Sequence, residues 1–380
     1  KVIGMICRVL IQMIFILKRG KTMKKNLLPE IDGKPYYDDI LDRCDVGFCD
    51  KNDYPEIAEF LDKYWRKGHI FTKSKVLFDW QHYNKRQERY NIVCAREKQS
   101  KEIYSLLGFV PTYQFDENIE RVLLWPCIWK NRNEVGIRGL GIILYWYLKE
   151  HLTIECMEML GISEQALGIY RSWGFETGKI NQYFIPNRNK GTFKIISGYV
   201  NDKKSIELSC GSYSVCRTEN ELRESISRIG ISNPYKSSEY YINRYYLHPI
   251  YKYEYACFQG ENAVCLLILR LCVARQARVL RIVDVVGDIR ALGDCALSIQ
   301  SLLEKYDAEY IDLVNVGIDK RLLKNAGFTE VEKDGNVIVP NYFEPFIREN
   351  IFLDYAHKSI VGDKACFFKG DADQDRPNIL

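Results

Sequence analysis

The sequence predicts an α/β protein whose mixed sheet is built twice along the chain. Three observations carry that reading. The first is a strand–turn–helix unit near the middle of the first half. An apolar run rich in Val, Leu, Ile and Trp (residues 121–130) leads into a polar loop ending Gly136-Ile-Arg-Gly139-Leu-Gly141, and residues 142–152 follow as an apolar helix. The second is a helix about thirty residues on, ending Tyr170-Arg-Ser-Trp-Gly174-Phe175. The third is recurrence. Asp288-Ile-Arg-Ala291-Leu-Gly293 matches the first loop at four of six positions, and the step from loop to Gly-Phe is 33 residues in one copy and 34 in the other.

In chain order, a first strand is expected over 45–53, helices over 54–67 and 72–84, and a hairpin over 90–97 and 102–111. The central strand, loop and helix come next, then a strand over 153–160, the Tyr170 helix, and a strand over 180–185 that closes the half. A segment rich in Asn, Lys and Gly (187–204) marks a boundary. The second half repeats a strand over 278–286, a helix over 295–306, a strand over 310–316 and a helix ending Ala326-Gly327-Phe328. Residues 1–22 read as a non-structural extension, with Met23 a natural start. Their apolar stretch is broken by Gln12 and too short to span a bilayer, a membrane-surface helix being the alternative. The expected domains are therefore 23–190, carrying the loop, and 200–380, a degenerate second copy.

Composition narrows the chemistry. A formal net charge of +4 does not argue for nucleic acid and suits an anionic co-substrate. Thirteen cysteines without C-x-x-C pairs, and only five histidines, argue against a zinc site and a disulfide framework and for the cytoplasm. No stable membrane insertion is expected, and no Gly-x-Ser-x-Gly or paired Cys and His marks a covalent mechanism.

A glycine-rich turn opening into a helix is an anion site, because unpaired N–H groups and the positive end of the helix dipole converge there. The spacing is neither that of a dinucleotide fold nor of a P-loop. Taken with the Tyr-x-x-x-Gly-Phe helix, it resembles the GCN5-related N-acetyltransferase (GNAT) family over residues 44–187, with one departure: Gly136 stands where that family usually has Gln or Arg. The resemblance implies two tandem GNAT-like acyl-CoA N-acyltransferase domains, with acetyl-CoA or another acyl-CoA as co-substrate. Gly136, Ile137, Arg138, Gly139, Leu140 and Gly141 would hold it, and Trp125 and Cys127 would flank its thioester. Pro126 in the central strand hints at a bulge whose free N–H groups polarise the carbonyl. Tyr170 would be the acid for the departing thiolate. The central strand has no carboxylate, so His82 is the candidate base, with Trp80 beside it at the acceptor.

The copies are unequal. Ala291 replaces Gly139, Asp288 puts a carboxylate where phosphate would sit, and Leu323 occupies the place of Tyr170. The framework recurs without the chemistry. At the C-terminal end, Asp371, Asp373 and Asp375 alternate and would form one row on an extended tail anchored by an apolar strand over 365–368. Such a row could hold an ammonium or sugar hydroxyls at the mouth between domains, supply the missing base, and be removable without loss of stability. The ending resembles that of two-domain acetyltransferase-like proteins of bacterial surface-polysaccharide pathways, which implies an amino-sugar acceptor. The alternatives are a FemX-like aminoacyl transferase and a duplicated fold that binds CoA or sugar without turnover.

Overall fold

The computed structural model describes Leu28 and residues 36–201 and 210–378. The expectations for residues 1–22 lie outside them. The first half contributes strands β1 (Cys44–Asp50), β2 (Arg89–Glu97), β3 (Ile103–Pro111), β4 (Leu123–Asn131), β5 (Cys156–Leu160), β6 (Glu176–Lys179) and β7 (Asn181–Pro186). The second contributes β8 (Ser212–Cys216), β9 (Tyr253–Gln259), β10 (Val264–Ala274), β11 (Ala277–Gly287), β12 (Ala308–Val316), β13 (Thr329–Glu330), β14 (Asp354–Ser359) and β15 (Phe367–Phe368).

These strands form two mixed sheets, each of eight strands among the described residues. One runs β1-β2-β3-β4-β5-β14-β6, with Tyr83–Asn84 also on β2; the other runs β13-β7-β12-β11-β10-β9-β8, with β15 on β12. Each is antiparallel except for one parallel pair, β4 with β5 and β11 with β12. The mixed α/β fold class expected from the sequence is therefore present, as two sheets.

Sheet membership departs from chain order. The strand expected to close the first half, β7, pairs with β12 in the second sheet, Ile311 opposite Ile185. Its place in the first sheet is taken by β14, from near the chain's end, with Ala356 opposite Met159 on β5 and Thr177 on β6. The chain leaves the first sheet at Ile180, whose N–H donates to Leu353 O at 2.8 Å. The exchange is reciprocal, so the expected boundary at 190–200 does not separate the sheets.

Helices follow local signals. α1 (Tyr54–Phe60) continues as a wider turn, Leu61–Trp65, in place of one helix to 67. α2 (Lys75–His82) starts where Ser74 Oγ accepts from Leu77 N, and stops because Tyr83–Asn84 pairs with β2. α3 (Leu140–His151) and α4 (Glu164–Ser172) cover one face of the first sheet, packing Leu144, Tyr145 and Tyr170 against Phe109, Leu124 and Met157. The other face packs partly under α1 and α2, where Ile92 and Leu106 meet Ile57 and Leu77, and partly on the second half. Val110, Leu123 and Trp125 share a core with Tyr240, Tyr245 and Val283. Each large apolar side chain so buried contributes about 1.5–3 kcal/mol, which binds the halves through a common core.

Candidate functional site

The parallel strands β4 and β5 run together only briefly. Leu123 faces Cys156 and Leu124 faces Met157, and there the ladder ends. From Trp125 onward β4 has no strand partner on that edge among the described residues, although it continues to Asn131, while β5 runs on to Leu160 against β14. A wedge opens between them. At its vertex the register against β3 slips: Gly108 faces Ile128 but Phe109 faces Pro126, so Cys127 is the extra residue of a bulge. Pro126 has no N–H to give the ladder, and the expected bulge is found one residue beyond it.

At the wide end lies the glycine turn. Gly136 (φ +63°) ends the short turn Asn133–Val135, and Gly139 (φ +80°) precedes the first turn of α3, left-handed conformations that Gly adopts without strain. Gly141 answers a different need. A Cβ there would lie 2.7 Å from Trp129 Nε1 and from Asn131 Oδ1, so its absence lets α3 seat directly on β4. Trp129 Nε1 donates to Gly141 O at 3.1 Å, fixing that seat. Leu140 is buried beneath the turn, while Arg138 is exposed.

The second copy has the same wedge, and the chain fills it. β11 and β12 part after Ile282 and Leu313. Into the gap comes the tail. β15 pairs with Asn315 and Val316, Lys369 N donates to Val314 O at 3.1 Å, and Gly370 N donates to Val283 O at 2.7 Å. Gly370 is required, since a Cβ there would meet Val283 O at 2.6 Å. Its loop is occupied as well: Asp288 accepts from Arg290 N at 3.0 Å and pairs with the Arg290 side chain.

The proton-handling candidates are enclosed. The Tyr170 hydroxyl bonds that of Tyr145 among Trp129, Trp173 and Phe175, and burial pushes both phenols up. His82 is fully buried. Its Nδ1–H donates to Phe109 O at 3.3 Å and its Nε2 accepts from Gln81 at 3.1 Å. Burial brings its pKa down to about 3, so the imidazole stays neutral and fastens α2 to β3 instead of accepting a proton at neutral pH. Trp80 bonds Asn243 O at 3.3 Å and packs on His248 at 4.4 Å between ring centres. It lines a cleft of about 940 Å³ shared by the two halves.

The tail is neither extended nor solvated. Residues 371–375 coil through turns, with Ala372 at φ +54°, and the three acids point to different cations instead of forming a row. Asp371 meets the buried Lys236 at 2.8 Å, which also holds Asp284 at 2.7 Å. Asp375 meets Arg270 at 2.8 Å and accepts from Tyr253 at 2.9 Å. Asp373 pairs with Arg376 within the turn. Those contacts overturn the expectation that the tail could be removed without loss of stability.

Other residues here had no signal in the sequence. Arg244, from the second half, sits between Trp80 and Phe115 and donates to Gly370 O and Ala372 O at 2.8 and 2.6 Å. On the first sheet Glu158 accepts from Trp125 Nε1 at 3.1 Å across the wedge's vertex, and lies 3.2 Å from His357 on β14. Cys156 Sγ is 3.8 Å from the same His nitrogen, a buried trio of types that bind metals. Its bonds account for it as it stands. His357 Nε2 donates to Asp363 O at 2.9 Å, and although burial draws the ring's pKa down, Glu158 and that carbonyl outweigh it and hold it above the ordinary value. A buried His–Glu pair clamps the exchanged strand.

Comparison places this geometry among known folds. No protein-family model matches the sequence, and no curated protein matches it. Solved structures do. A conserved Enterococcus faecalis protein of unknown function, described as a probable N-acyltransferase, is 9% identical with a TM-score of 0.50 over 83% of this chain and 73% of its own. A GCN5-related N-acetyltransferase from Anabaena variabilis is 12% identical at 0.48, over 83% and 73%. An N-myristoyltransferase from Saccharomyces cerevisiae, solved with myristoyl-CoA, is 6% identical at 0.41, over 90% and 82%. The chain shares a mixed α/β fold with the probable N-acyltransferase, and at this identity the likeness extends to the fold alone.

Proposed function

We propose that the protein is an acyl-CoA-dependent N-acyltransferase acting on a small amine, most simply an N-acetyltransferase of an amino-sugar in surface-polysaccharide synthesis, in the cytoplasm. One observation carries the reading: an open wedge, bulged at its vertex, ends at a glycine turn and a helix N-terminus in the first half only. The unpaired edges of β4 and β5 suit the two amides of an extended pantetheine, and residues 136–141 with the first turn of α3 suit its pyrophosphate. The bulge leaves backbone N–H groups beside Cys127 to hold the developing oxyanion. The proposed acid is Tyr170 acting with Tyr145, whose ring packs edge-on at 5.0 Å against Trp129, two residues beyond Cys127 on β4. Trp80 and the tail, with Asp371, Asp373 and Asp375, would wall the acceptor side.

The enclosure of Tyr170 and His82 favours one rival, a duplicated fold that binds an acyl-CoA without turnover. One experiment separates the two: acetyl-CoA binding by calorimetry, alongside thiol release with a panel of hexosamines and other primary amines. Binding with release supports the transferase, and binding without release from any amine supports the rival. Absence of binding removes both.

A further inference from the structure

Acyl transfer to an amine needs a group to take the proton, and the central strand has no carboxylate. Asp371 and Asp375 are both engaged inside the second half, against Lys236 and Arg270. Asp373 is placed differently, because the tail crosses to the first half around it. Gln374 Nε2 donates to Leu160 O at 3.1 Å, where β5 ends along the wedge. Arg376 Nη2 lies 3.2 Å from His69 Nε2 and stacks over Phe71, which shares a packed cluster with Cys127. Ala372 lies in the cluster that holds Trp125. These anchors seat the carboxylate between the end of β5 and the side chains packed around the bulge, and burial first and Asp373 next push the Cys127 thiol upward. The two carboxylate oxygens differ. Oδ2 is taken by Arg376, whereas Oδ1 has, among the described residues, only a 3.4 Å approach from the adjacent Gln374 amide.

We propose that Asp373 is the proton acceptor of the reaction, a catalytic residue supplied to the first wedge by the tail of the second half. The inference rests on the transferase reading above. The amine lone pair attacks the thioester carbon at the bulge, a C–N bond forms, and the carbonyl π electrons move to the oxygen. The nitrogen, now cationic and acidic, gives its proton to Asp373 Oδ1. The carbonyl re-forms, the C–S bond breaks with its electron pair on sulfur, and the thiolate takes a proton either from water or from the Tyr145–Tyr170 pair, which regains it from solvent. Asp373 then returns its proton to solvent. Arg376 is a positioning residue that leaves Oδ1 pointing free.

The test uses the full chain and whichever amine of the panel releases thiol fastest with the wild-type enzyme. Asp373→Asn should keep acetyl-CoA affinity within about twofold while kcat falls about 10²–10⁴-fold, the usual worth of a general base. Asp373→Gly opens space at the same point, and added formate should restore its rate about tenfold or more without accelerating wild type. Asp371→Asn and Asp375→Asn should instead lower the melting temperature, with formate giving no rescue. Wild-type turnover in Asp373→Asn overturns the assignment, as does a loss in Asp373→Gly that formate leaves untouched. If no amine releases thiol with the wild-type enzyme, the transferase reading fails first and this inference falls with it.

Discussion

Gly136 is the residue at which the asymmetry of the two copies is most simply tested. Its Cβ position is open, so Gly136→Glu adds a carboxylate beside the turn at the cost of left-handed strain of about 1–2 kcal/mol. Calorimetry on the folded variant should show acetyl-CoA affinity reduced about a hundredfold or more. The reciprocal change, Asp288→Gly, empties the second loop but leaves its wedge filled by the tail, so it should create no second binding site; a stoichiometry of two would refute the asymmetry. Tyr170→Phe probes the acid. It leaves the Tyr145 hydroxyl without its partner, which costs about 1–3 kcal/mol. Turnover should fall about 10²–10⁴-fold with acyl-CoA affinity kept. An unchanged kcat would make Tyr170 a packing residue. At this scale the sequence was most readable where a residue type answers a backbone need, as Gly139 and Gly141 do. It was least readable where a role depends on a distant partner: neither Glu158 with His357 nor Arg244 with the tail carbonyls leaves any local pattern.

Among the elements, the tail departs furthest from expectation. Alternating acids suggested an extended, solvated strand, yet the chain turns at Ala372 and each acid finds its own cation. Removing residues 369–380 would leave Lys236 and Arg270 buried with lost partners and strip the second wedge of its contacts to Val314 and Val283. Breaking one buried pair of this kind typically costs about 3–5 kcal/mol, so the truncated chain should melt about 10 °C lower or fail to fold. A thermal melt matching that of the full chain would return the tail to solvent. The other elements were legible to the extent that their periodicity is local: the hairpin of β2 and β3, β4, and helix α3 all fall close to expectation. The first-half helices broke at Ser74 and at Leu61–Trp65 because a side-chain cap and a wide turn override apolar spacing. For β7 the strand was readable but its partner was not, since a continuous apolar run, Tyr183–Pro186, serves either sheet.

For the whole molecule, the seam between the halves sets the response to acid. His69, His82 and His248 are all buried, chiefly for that reason each has its pKa lowered to about 3, and each is therefore neutral when folded. In the unfolded chain they titrate near 6.5. Between those values the unfolded state binds more protons, so the contribution of these three is full above about pH 6.5 and falls as the pH drops toward 3, while His357, held above its ordinary value, acts in the opposite sense as the pH rises. Each histidine adds a slope of up to about 1.4 kcal/mol per pH unit. Chemical denaturation between pH 7 and 4 should show this loss, and a His82→Gln variant should show a shallower dependence. A flat profile would mean the rings are solvated. Net charge and fold class were legible at this scale because they sum over many residues. The shared core was not, because no single segment encodes it.

The exchanged strand also sets a timetable. During synthesis β5 emerges with one edge that only β14 will cover, and β14 begins at Asp354. At about 5–20 residues per second, roughly ten to forty seconds separate the appearance of the two. Throughout that interval a strand whose residues are all destined for burial lies unpaired along one side, open to other nascent chains. The first half is thus made first and finished last, and a ribosome paused beyond residue 201 should hold a chain that chaperones bind and proteases cut, even though most of its sheet has already been translated.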